Sequence, residues 1–193
     1  MKMLNRNKAF GFVFFLLLAF VFSGCLKTPD TSPTTNYSSE TEKVQVKSWL
    51  KQMVVKKQKV LSIPDHNGID STKIGTALYY VADTTKVGTG NLVKVGNTVT
   101  VKYTGMFLDG SVFDTSTTHG DGTFTFTVTS PTDPNSQVIS GWQEAVVILK
   151  TGSSAAFLIP SAKAYGPGGY SIIPPYTPLI FIISVVDIKT NSL

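Results

Sequence analysis

Cysteine and charged side chains are scarce in this chain of 193 residues. Because Cys25 is the only cysteine, no intramolecular disulfide can form. Charged residues make up 15% of the chain, whereas aromatic residues, glycine and the β-branched residues are well represented. This balance favours a β-rich globular domain over a disordered polypeptide. We therefore expect one domain of ordinary size with a buried core and one or two additional terminal segments.

The sequence also lacks the motifs of several common catalytic and binding sites. The glycine-rich segments contain no Gly-Lys-Ser/Thr sequence, which excludes a phosphate-binding loop. Neither a Ser-His-Asp pattern nor a carboxylate pair suited to glycoside hydrolysis is evident. His66 and His119 have no cysteine or carboxylate partner at metal-ligand spacing, so we interpret both as loop residues. We expect neither a metal nor a cofactor.

Residues 1–24 predict a signal peptide. Three basic residues precede the uncharged stretch from Ala9 to Phe22, which at fourteen residues is too short for a membrane span of about 20 residues. The segment Phe22-Ser23-Gly24-Cys25 then resembles the lipobox of bacterial lipoproteins, which implies cleavage before Cys25 and acylation of that residue. The alternatives are an ordinary signal peptide that is cut nearby and an unmodified Cys25 at the end of an uncleaved anchor.

Removal of this leader changes the charge of the protein. Three of the seventeen basic residues and none of the twelve acidic residues lie in residues 1–24, so the net charge falls from +5 to +2. The apparent basicity is therefore not a sign of nucleic-acid binding, and we expect no nucleic-acid partner. Residues 25–38 are rich in Ser, Thr and Pro, cannot bury enough apolar surface to fold, and predict a tether.

An N-terminal helical extension is predicted over residues 39–75. Ser39-Glu40-Thr41-Glu42 has the capping-box pattern of a helix that begins near Ser39. Apolar residues then recur at the spacing of one helix face: Val46, Trp49, Leu50, Met53 and Val54. We expect this face to pack on its own domain. A homodimer through residues 46–54 is the main alternative, and association of the basic helix with a membrane surface is another.

Strand patterns dominate the predicted main domain, residues 76–193. Val99–Thr104 alternates apolar and polar side chains, and Asp109-Gly110 predicts a hairpin turn that returns Phe113-Asp114 beside the first strand. An aspartate beside a phenylalanine needs hydrogen-bond donors for its oxygens. From Ser140, a predicted helix cap, the apolar spacing becomes helical.

Taken in chain order, the motifs of this domain resemble the signature of FKBP-type peptidyl-prolyl isomerases. The resemblance runs from about Val87 to Ile188. It rests on Tyr103-Thr104-Gly105, Asp109-Gly110, Phe113-Asp114, Phe124, Val138-Ile139, Gly141-Trp142, Ile159-Pro160, Ala164-Tyr165-Gly166, Ile173-Pro174-Pro175 and Leu179-Ile180-Phe181. It implies an α+β fold, in which an antiparallel β-sheet wraps around a short α-helix, preceded here by the N-terminal amphipathic helix.

The same resemblance implies a hydrophobic cleft between sheet and helix, with Trp142 as its floor. The catalytic residues would be Tyr103, Asp114, Ile139 and Tyr165. The Ile139 backbone N–H and the Tyr165 hydroxyl would donate hydrogen bonds to substrate carbonyls, and Asp114, held by Tyr103, would face the amide carbonyl that rotates. Substrate would contact Phe113, Phe124, Val138, Trp142, Tyr170, Ile173 and Phe181. Each apolar residue alone would be ordinary core, and their joint spacing favours the site.

The implied function is peptidyl-prolyl cis-trans isomerisation of proline-containing polypeptides that fold in the bacterial cell envelope. The enzyme would be lipid-anchored through Cys25, on the periplasmic side or at the outer membrane, and its cleft would accept macrolide inhibitors. A proline-segment binding chaperone with little turnover is the alternative. The sequence departs from the family in residues 129–137, a longer insertion beside the cleft, and in Ala145, where the family often has glycine.

Overall fold

The computed structural model describes residues 36–63 and 68–190. Its helices and strands are α1 Ser39–Val55, β1 Leu61–Ile63, β2 Leu78–Val87, β3 Asn97–Met106, β4 Val112–Thr115, β5 Phe124–Thr127, α2 Ser140–Val146, β6 Ser153–Ile159 and β7 Leu179–Thr190. The predicted signal peptide, the acylation site Cys25, most of the tether and His66 lie outside the described residues. Within the described ranges, no helix has both the length and the apolar character needed to cross a membrane.

The strands form one antiparallel sheet in the order β1-β2-β6-β7-β3-β4, with β5 also paired to β3. The helix α2 lies against one face of this sheet. Its buried residues Trp142, Ala145 and Val146 share the main core with inward-facing strand residues such as Val101 and Ile183. The predicted α+β fold, an antiparallel sheet around a short helix, is therefore confirmed.

The predicted hairpin is formed by β3 and β4. Val99 and Val101 are fully buried while the next residue, Lys102, is exposed, as the alternation predicts. At the turn, Gly110 has a φ of 90° and donates its backbone N–H to the Phe107 carbonyl at 3.0 Å. Glycine adopts this left-handed conformation without a Cβ clash. The turn thus returns β4 with Asp114 opposite Gly105 of β3.

The helix α1 covers the opposite face of the sheet. Val46, Trp49 and Leu50 are buried in a second core with Tyr79, Leu158 and Ile180 of the strands. This confirms that the apolar face packs on its own domain. A homodimer through residues 46–54 stays a prediction, and its contact would have to use the parts of this segment that remain exposed, such as Val54.

One residue assigned to the buried face of α1 was placed wrongly. Val54 is 58% exposed. Eight residues after Val46, a helix has turned by about 80° beyond two full turns, which carries Val54 away from the sheet. Val46, Trp49 and Leu50, which lie closer to the centre of the face, determine how the helix packs.

Both predicted helix caps are shifted by one residue. The N-cap of α1 is Ser38, whose hydroxyl accepts the Thr41 backbone N–H, while the Thr41 hydroxyl accepts the Ser38 N–H. Glu42, predicted to complete the box, is instead buried against a distant part of the chain. The N-cap of α2 is Ile139, and the Ser140 hydroxyl donates to the Lys163 carbonyl at 3.3 Å. Glu42 and Ser140 thus form hydrogen bonds with residues far away in the sequence instead of with the neighbouring residues that the pattern indicated.

The predicted extension contributes to the same sheet as the main domain. β1 pairs with β2, and β2 pairs with β6 along its length. The described residues 36–63 and 68–190 form one compact unit. The division of this unit at residue 76 stays a prediction.

Candidate active site

A cleft of about 660 Å³ opens between α2 and the sheet. It is lined by Tyr103, Phe113, Asp114, His119, Phe124, Ser136, Gln137, Val138, Ile139, Trp142, Tyr165, Tyr170 and Phe181. The structure therefore brings together every residue predicted for the site except Ile173. A cleft of this size with mostly apolar walls and a few polar groups is typical of a small-ligand or peptide-side-chain site.

The floor of the cleft is Trp142, which lies in the first turn of α2 and is 4% exposed. Its ring meets those of Tyr103 and Phe181 edge to face, with centroids 5.0 and 5.2 Å away. Gly141, which precedes Trp142, allows α2 to lie close to Ile159 of β6. A Cβ at Gly141 would lie 2.4 Å from Ile159 Cγ2, so any side chain there would displace α2.

One wall of the cleft depends on Gly105 of β3. A Cβ at this position would lie 2.7 Å from Phe113 Cζ and 2.8 Å from Phe181 Cε1. Because Gly105 has no Cβ, the rings of Phe113 and Phe181 can meet at right angles with their centroids 5.6 Å apart. The glycine therefore sets the width of the wall, since the rings occupy the space that a side chain would fill.

The carboxylate of Asp114 is held at the mouth of the cleft. The Tyr103 hydroxyl donates to Asp114 Oδ2 at 2.8 Å, which is the donor that the sequence required. The Tyr103 backbone is fixed in turn, because its N–H donates to the buried Ser116 hydroxyl at 3.1 Å. Burial, followed by the hydrogen bond to Asp114, raises the pKa of Tyr103 well above its ordinary value. The phenol therefore stays protonated and keeps donating.

His119 is a cleft residue that the sequence analysis missed. It follows the short 3₁₀ helix Ser116–Thr118, and its Nε2 lies 3.2 Å from Asp114 Oδ1, with the imidazole 55% exposed. The two Asp114 oxygens thus face different partners, Tyr103 and His119. The available signal was a histidine five residues after the aspartate, in a loop too short to carry it far away. Among the residues that the structure describes, no cluster of three or more His, Cys, Asp or Glu is arranged to hold a metal.

Two further residues of the lining, Ile139 and Tyr165, carry hydrogen-bond donors. Neither the Ile139 backbone N–H nor the Tyr165 hydroxyl donates to another residue in the described ranges. The Tyr165 ring stacks on Tyr170, with centroids 5.1 Å apart. Burial, then the nearby Tyr170 and Asp114, raise the pKa of Tyr165. Its hydroxyl is therefore a neutral donor at physiological pH.

The insertion at residues 129–137 forms part of the cleft rim. Gln143 of α2, which is 1% exposed, accepts the Thr129 backbone N–H at 3.0 Å and donates to the Ser136 hydroxyl at 2.8 Å. The Ser136 hydroxyl donates in turn to the Val138 carbonyl at 2.7 Å. This network fixes the backbone that leads into Ile139. It also places Ser136 and Gln137 in the lining, two residues that were not predicted.

Ile173 occupies a different place from the other predicted substrate contacts. It is buried in the main core, 6% exposed, and is not among the residues that line the cleft. Its backbone exchanges two hydrogen bonds with Tyr170, at 2.9 and 2.8 Å. The structure therefore places Ile173 behind Tyr170, where it supports the cleft edge.

The arrangement suits binding and bond rotation better than covalent chemistry. The lining contains no cysteine, lysine or general-base pair beside a nucleophile, but it offers an aromatic slot, one carboxylate and two free donors. An apolar ring would fit against Trp142.

Comparison with known proteins agrees with this geometry. A family model described as "FKBP-type peptidyl-prolyl cis-trans isomerase" matches residues 90–186. The FKBP-type peptidyl-prolyl cis-trans isomerase FkpA of Aeromonas hydrophila is 37% identical over 122 residues, which cover 63% of this chain and 41% of that protein. The outer membrane protein MIP of Legionella longbeachae is 42% identical over 105 residues, covering 53% of this chain and 41% of that protein.

Solved structures include a similar chain that is matched over almost its whole length. The crystal structure of a peptidyl-prolyl cis-trans isomerase from Pseudomonas syringae superposes with a TM-score of 0.59 at 25% identity, over 80% of this chain and 98% of that one. By contrast, this chain spans only about two fifths of the length of the first curated relatives that it matches.

Proposed function

The chain belongs to the family of FKBP-type peptidyl-prolyl cis-trans isomerases, and we propose that it accelerates rotation about Xaa-Pro bonds in proline-containing polypeptides. The observation that carries this proposal is the aromatic cleft over Trp142, whose lining includes a tyrosine-bound carboxylate and two residues, Ile139 and Tyr165, with unpaired donors. A proline ring would enter against Trp142. The substrate backbone on either side of it would then lie between Asp114 and the donors Ile139 and Tyr165.

Such a cleft accelerates rotation without a covalent step. Uncatalysed rotation about an Xaa-Pro bond takes tens of seconds or longer, because the twisted state loses amide resonance. A twisted amide has less charge separation than a planar one, so an apolar cleft disfavours the planar ground state relative to the transition state. Each difference of about 1.4 kcal/mol corresponds to a tenfold change in rate.

The polar groups act on the substrate backbone. The Ile139 N–H and the Tyr165 hydroxyl are proposed to bind carbonyl oxygens and so fix the peptide on both sides of the proline. Asp114 is proposed to face the carbonyl of the rotating amide, with Tyr103 holding its orientation. A macrolide that fills the same apolar slot would compete with peptide, so added macrolide is expected to slow the reaction.

The proposal is tested by following cis-to-trans conversion of Xaa-Pro peptides with the purified protein and its Tyr165→Phe variant. The wild type should accelerate the conversion. Tyr165→Phe should lower kcat/KM about five- to tenfold, because it removes one hydrogen bond of about 1–1.4 kcal/mol and leaves the ring stack intact.

Tyr176→Phe is the matched control, since it makes the same chemical change outside the cleft lining and should leave the rate unchanged. No acceleration by the wild-type protein at micromolar concentration would reject the proposed activity. Equal rates for the wild type and Tyr165→Phe would reject only the role of the hydroxyl.

We also propose that the enzyme works in the bacterial cell envelope, lipid-anchored through Cys25. Support comes from the signal-like residues 1–24 and from the lipobox pattern that ends at Cys25. A similar protein of Legionella longbeachae bears the name outer membrane protein MIP. Acyl chains on Cys25 and a tether over residues 26–38 would hold the isomerase near the bilayer.

Lipid attachment is tested by growing cells with labelled fatty acid. The wild-type protein should incorporate the label and fractionate with membranes, whereas Cys25→Ser should do neither. Label in the Cys25→Ser variant, or a wild-type protein without label, would contradict acylation at this residue.

A further inference from the structure

The helix α1 lies outside the segment that matches the family model, residues 90–186, yet it contacts that segment through a buried charge. Glu42 projects from the first turn of α1 and is 4% exposed. Its Oε1 accepts the Ser161 backbone N–H at 2.6 Å, and its Oε2 accepts the Ser161 hydroxyl at 2.6 Å. Buried carboxylates are rare unless such donors hold them.

Ser161, the partner of Glu42, begins a short 3₁₀ helix, Ser161–Lys163. No side chain of the neighbouring residues caps the N-terminus of this helix. The preceding Pro160 has no N–H to offer, and the Ser161 N–H would otherwise be buried without an acceptor. Glu42 therefore supplies a cap from another part of the chain. The two residues are 119 positions apart in the sequence.

This 3₁₀ helix is held firmly at its other end. The Lys163 ammonium pairs with Glu144 of α2 at 2.5 Å, and the Lys163 carbonyl accepts the Ser140 hydroxyl. The helix thus joins α1, through Glu42, to α2, on which Trp142 sits. Two residues beyond Lys163 the chain reaches Tyr165, which lines the cleft.

We infer that Glu42 is a positioning residue: through Ser161 it fixes the 3₁₀ helix that places the Tyr165 hydroxyl, so that α1 helps to shape the active site. This inference rests on the proposed isomerase function. It assigns α1 a purpose besides stability, because an element on the far face of the sheet sets the geometry of one donor in the cleft. Glu42 itself touches no substrate.

The test is Glu42→Gln, compared with Glu40→Gln on the same helix turn. The amide that replaces the Glu42 carboxylate has only one acceptor oxygen for the two Ser161 donors, so the 3₁₀ helix should loosen. Glu40 is 77% exposed and, among the residues that the structure describes, pairs with Lys43 alone, which makes it the matched control. We expect Glu42→Gln to lower kcat/KM about threefold, less than the loss of the whole Tyr165 hydrogen bond. Glu40→Gln should have no effect.

A double mutant separates positioning from simple stabilisation. If Glu42 acts through the Tyr165 hydroxyl, Glu42→Gln should cause no further loss in a Tyr165→Phe background. Rates are measured well below the unfolding temperature of every variant, so that all are fully folded. A threefold loss in both backgrounds, or a lower melting temperature with an unchanged rate, would overturn the inference. Should Glu42→Gln not fold, Ser161→Ala, which keeps the backbone N–H, is compared in the same two backgrounds.

A second readout does not need turnover. The NMR signals of the labelled Tyr165 ring should shift in Glu42→Gln and stay in place in Glu40→Gln. Unmoved Tyr165 signals overturn the inference whatever the activity. An inactive wild type whose Tyr165 signals still respond to Glu42→Gln would reject the proposed isomerase function and leave the positional coupling in place.

Discussion

Replacing Asp114 by alanine is expected to lower kcat/KM about ten- to a hundredfold, which corresponds to about 1.4–2.7 kcal/mol of transition-state stabilisation. The variant removes the carboxylate that we propose faces the rotating carbonyl, and it leaves the Tyr103 hydroxyl without its acceptor. The effect should exceed that of Tyr165→Phe, because hydrogen bonds and electrostatic contacts made by a charged group are stronger than those made by a neutral hydroxyl. Peptide isomerisation under the same conditions measures it.

Two further variants show which property of Asp114 matters. Asp114→Asn keeps the size of the side chain and an oxygen that can accept from Tyr103, but it removes the charge. A rate close to that of Asp114→Ala would identify the charge as the important property, and a rate near wild type would identify the shape. Asp187→Ala, on an exposed position of β7, is the control. If Asp114→Ala is as active as this control, the proposed role of Asp114 is wrong.

The largest expected change in stability comes from Trp49→Ala in α1. Trp49 is 7% exposed and belongs to the core between α1 and the sheet. Truncating a buried tryptophan leaves a cavity and costs about 3–5 kcal/mol of the free energy of unfolding. Urea unfolding should therefore show a clearly lower midpoint. Val44→Ala, on the same helix but 68% exposed, should change the free energy by less than about 0.5 kcal/mol.

The same unfolding curves bear on the boundary predicted at residue 76. If α1 and the strands unfold as one unit, Trp49→Ala should lower a single transition that fluorescence and circular dichroism follow together. A first transition at low urea concentration that removes only the helical circular dichroism signal, followed by unfolding of the strands at the wild-type midpoint, would show that the extension is a separate unit. A midpoint equal to that of Val44→Ala would contradict the packing of α1 on the sheet.

The β3–β4 hairpin that forms one wall of the cleft was predictable because strand patterns and tight turns are local. The alternation in Val99–Thr104 identifies which residues of β3 face the core, since successive side chains of a strand point to opposite faces. Asp109-Gly110 then fixes where the chain returns. These two features bring Tyr103 and Asp114 together, and the structure shows their hydrogen bond.

The helix ends were predicted less well for a physical reason. Ser38 and Ser39 are both acceptable caps, and Glu42 is suited to a capping box with Ser39 as well as to a buried contact. The position of Ser161 decides which of these two roles Glu42 takes. The sequence around α1 contains no information about where Ser161 lies. His119 was missed in the same way, because its distance from Asp114 depends on how the loop after β4 folds.

By itself, the sequence determined the strands and the hairpin, because these follow from side-chain periodicity and turn geometry within a few neighbouring residues. The resemblance of its ordered motifs to the FKBP-type family implied the fold and the identity of most cleft residues. The tertiary structure alone decided that Glu42 caps a 3₁₀ helix 119 residues away, that Ile173 lies behind the cleft edge, and that His119 reaches Asp114. Local preferences extend over only a few residues and leave these contacts open, so packing of the whole sheet selects them.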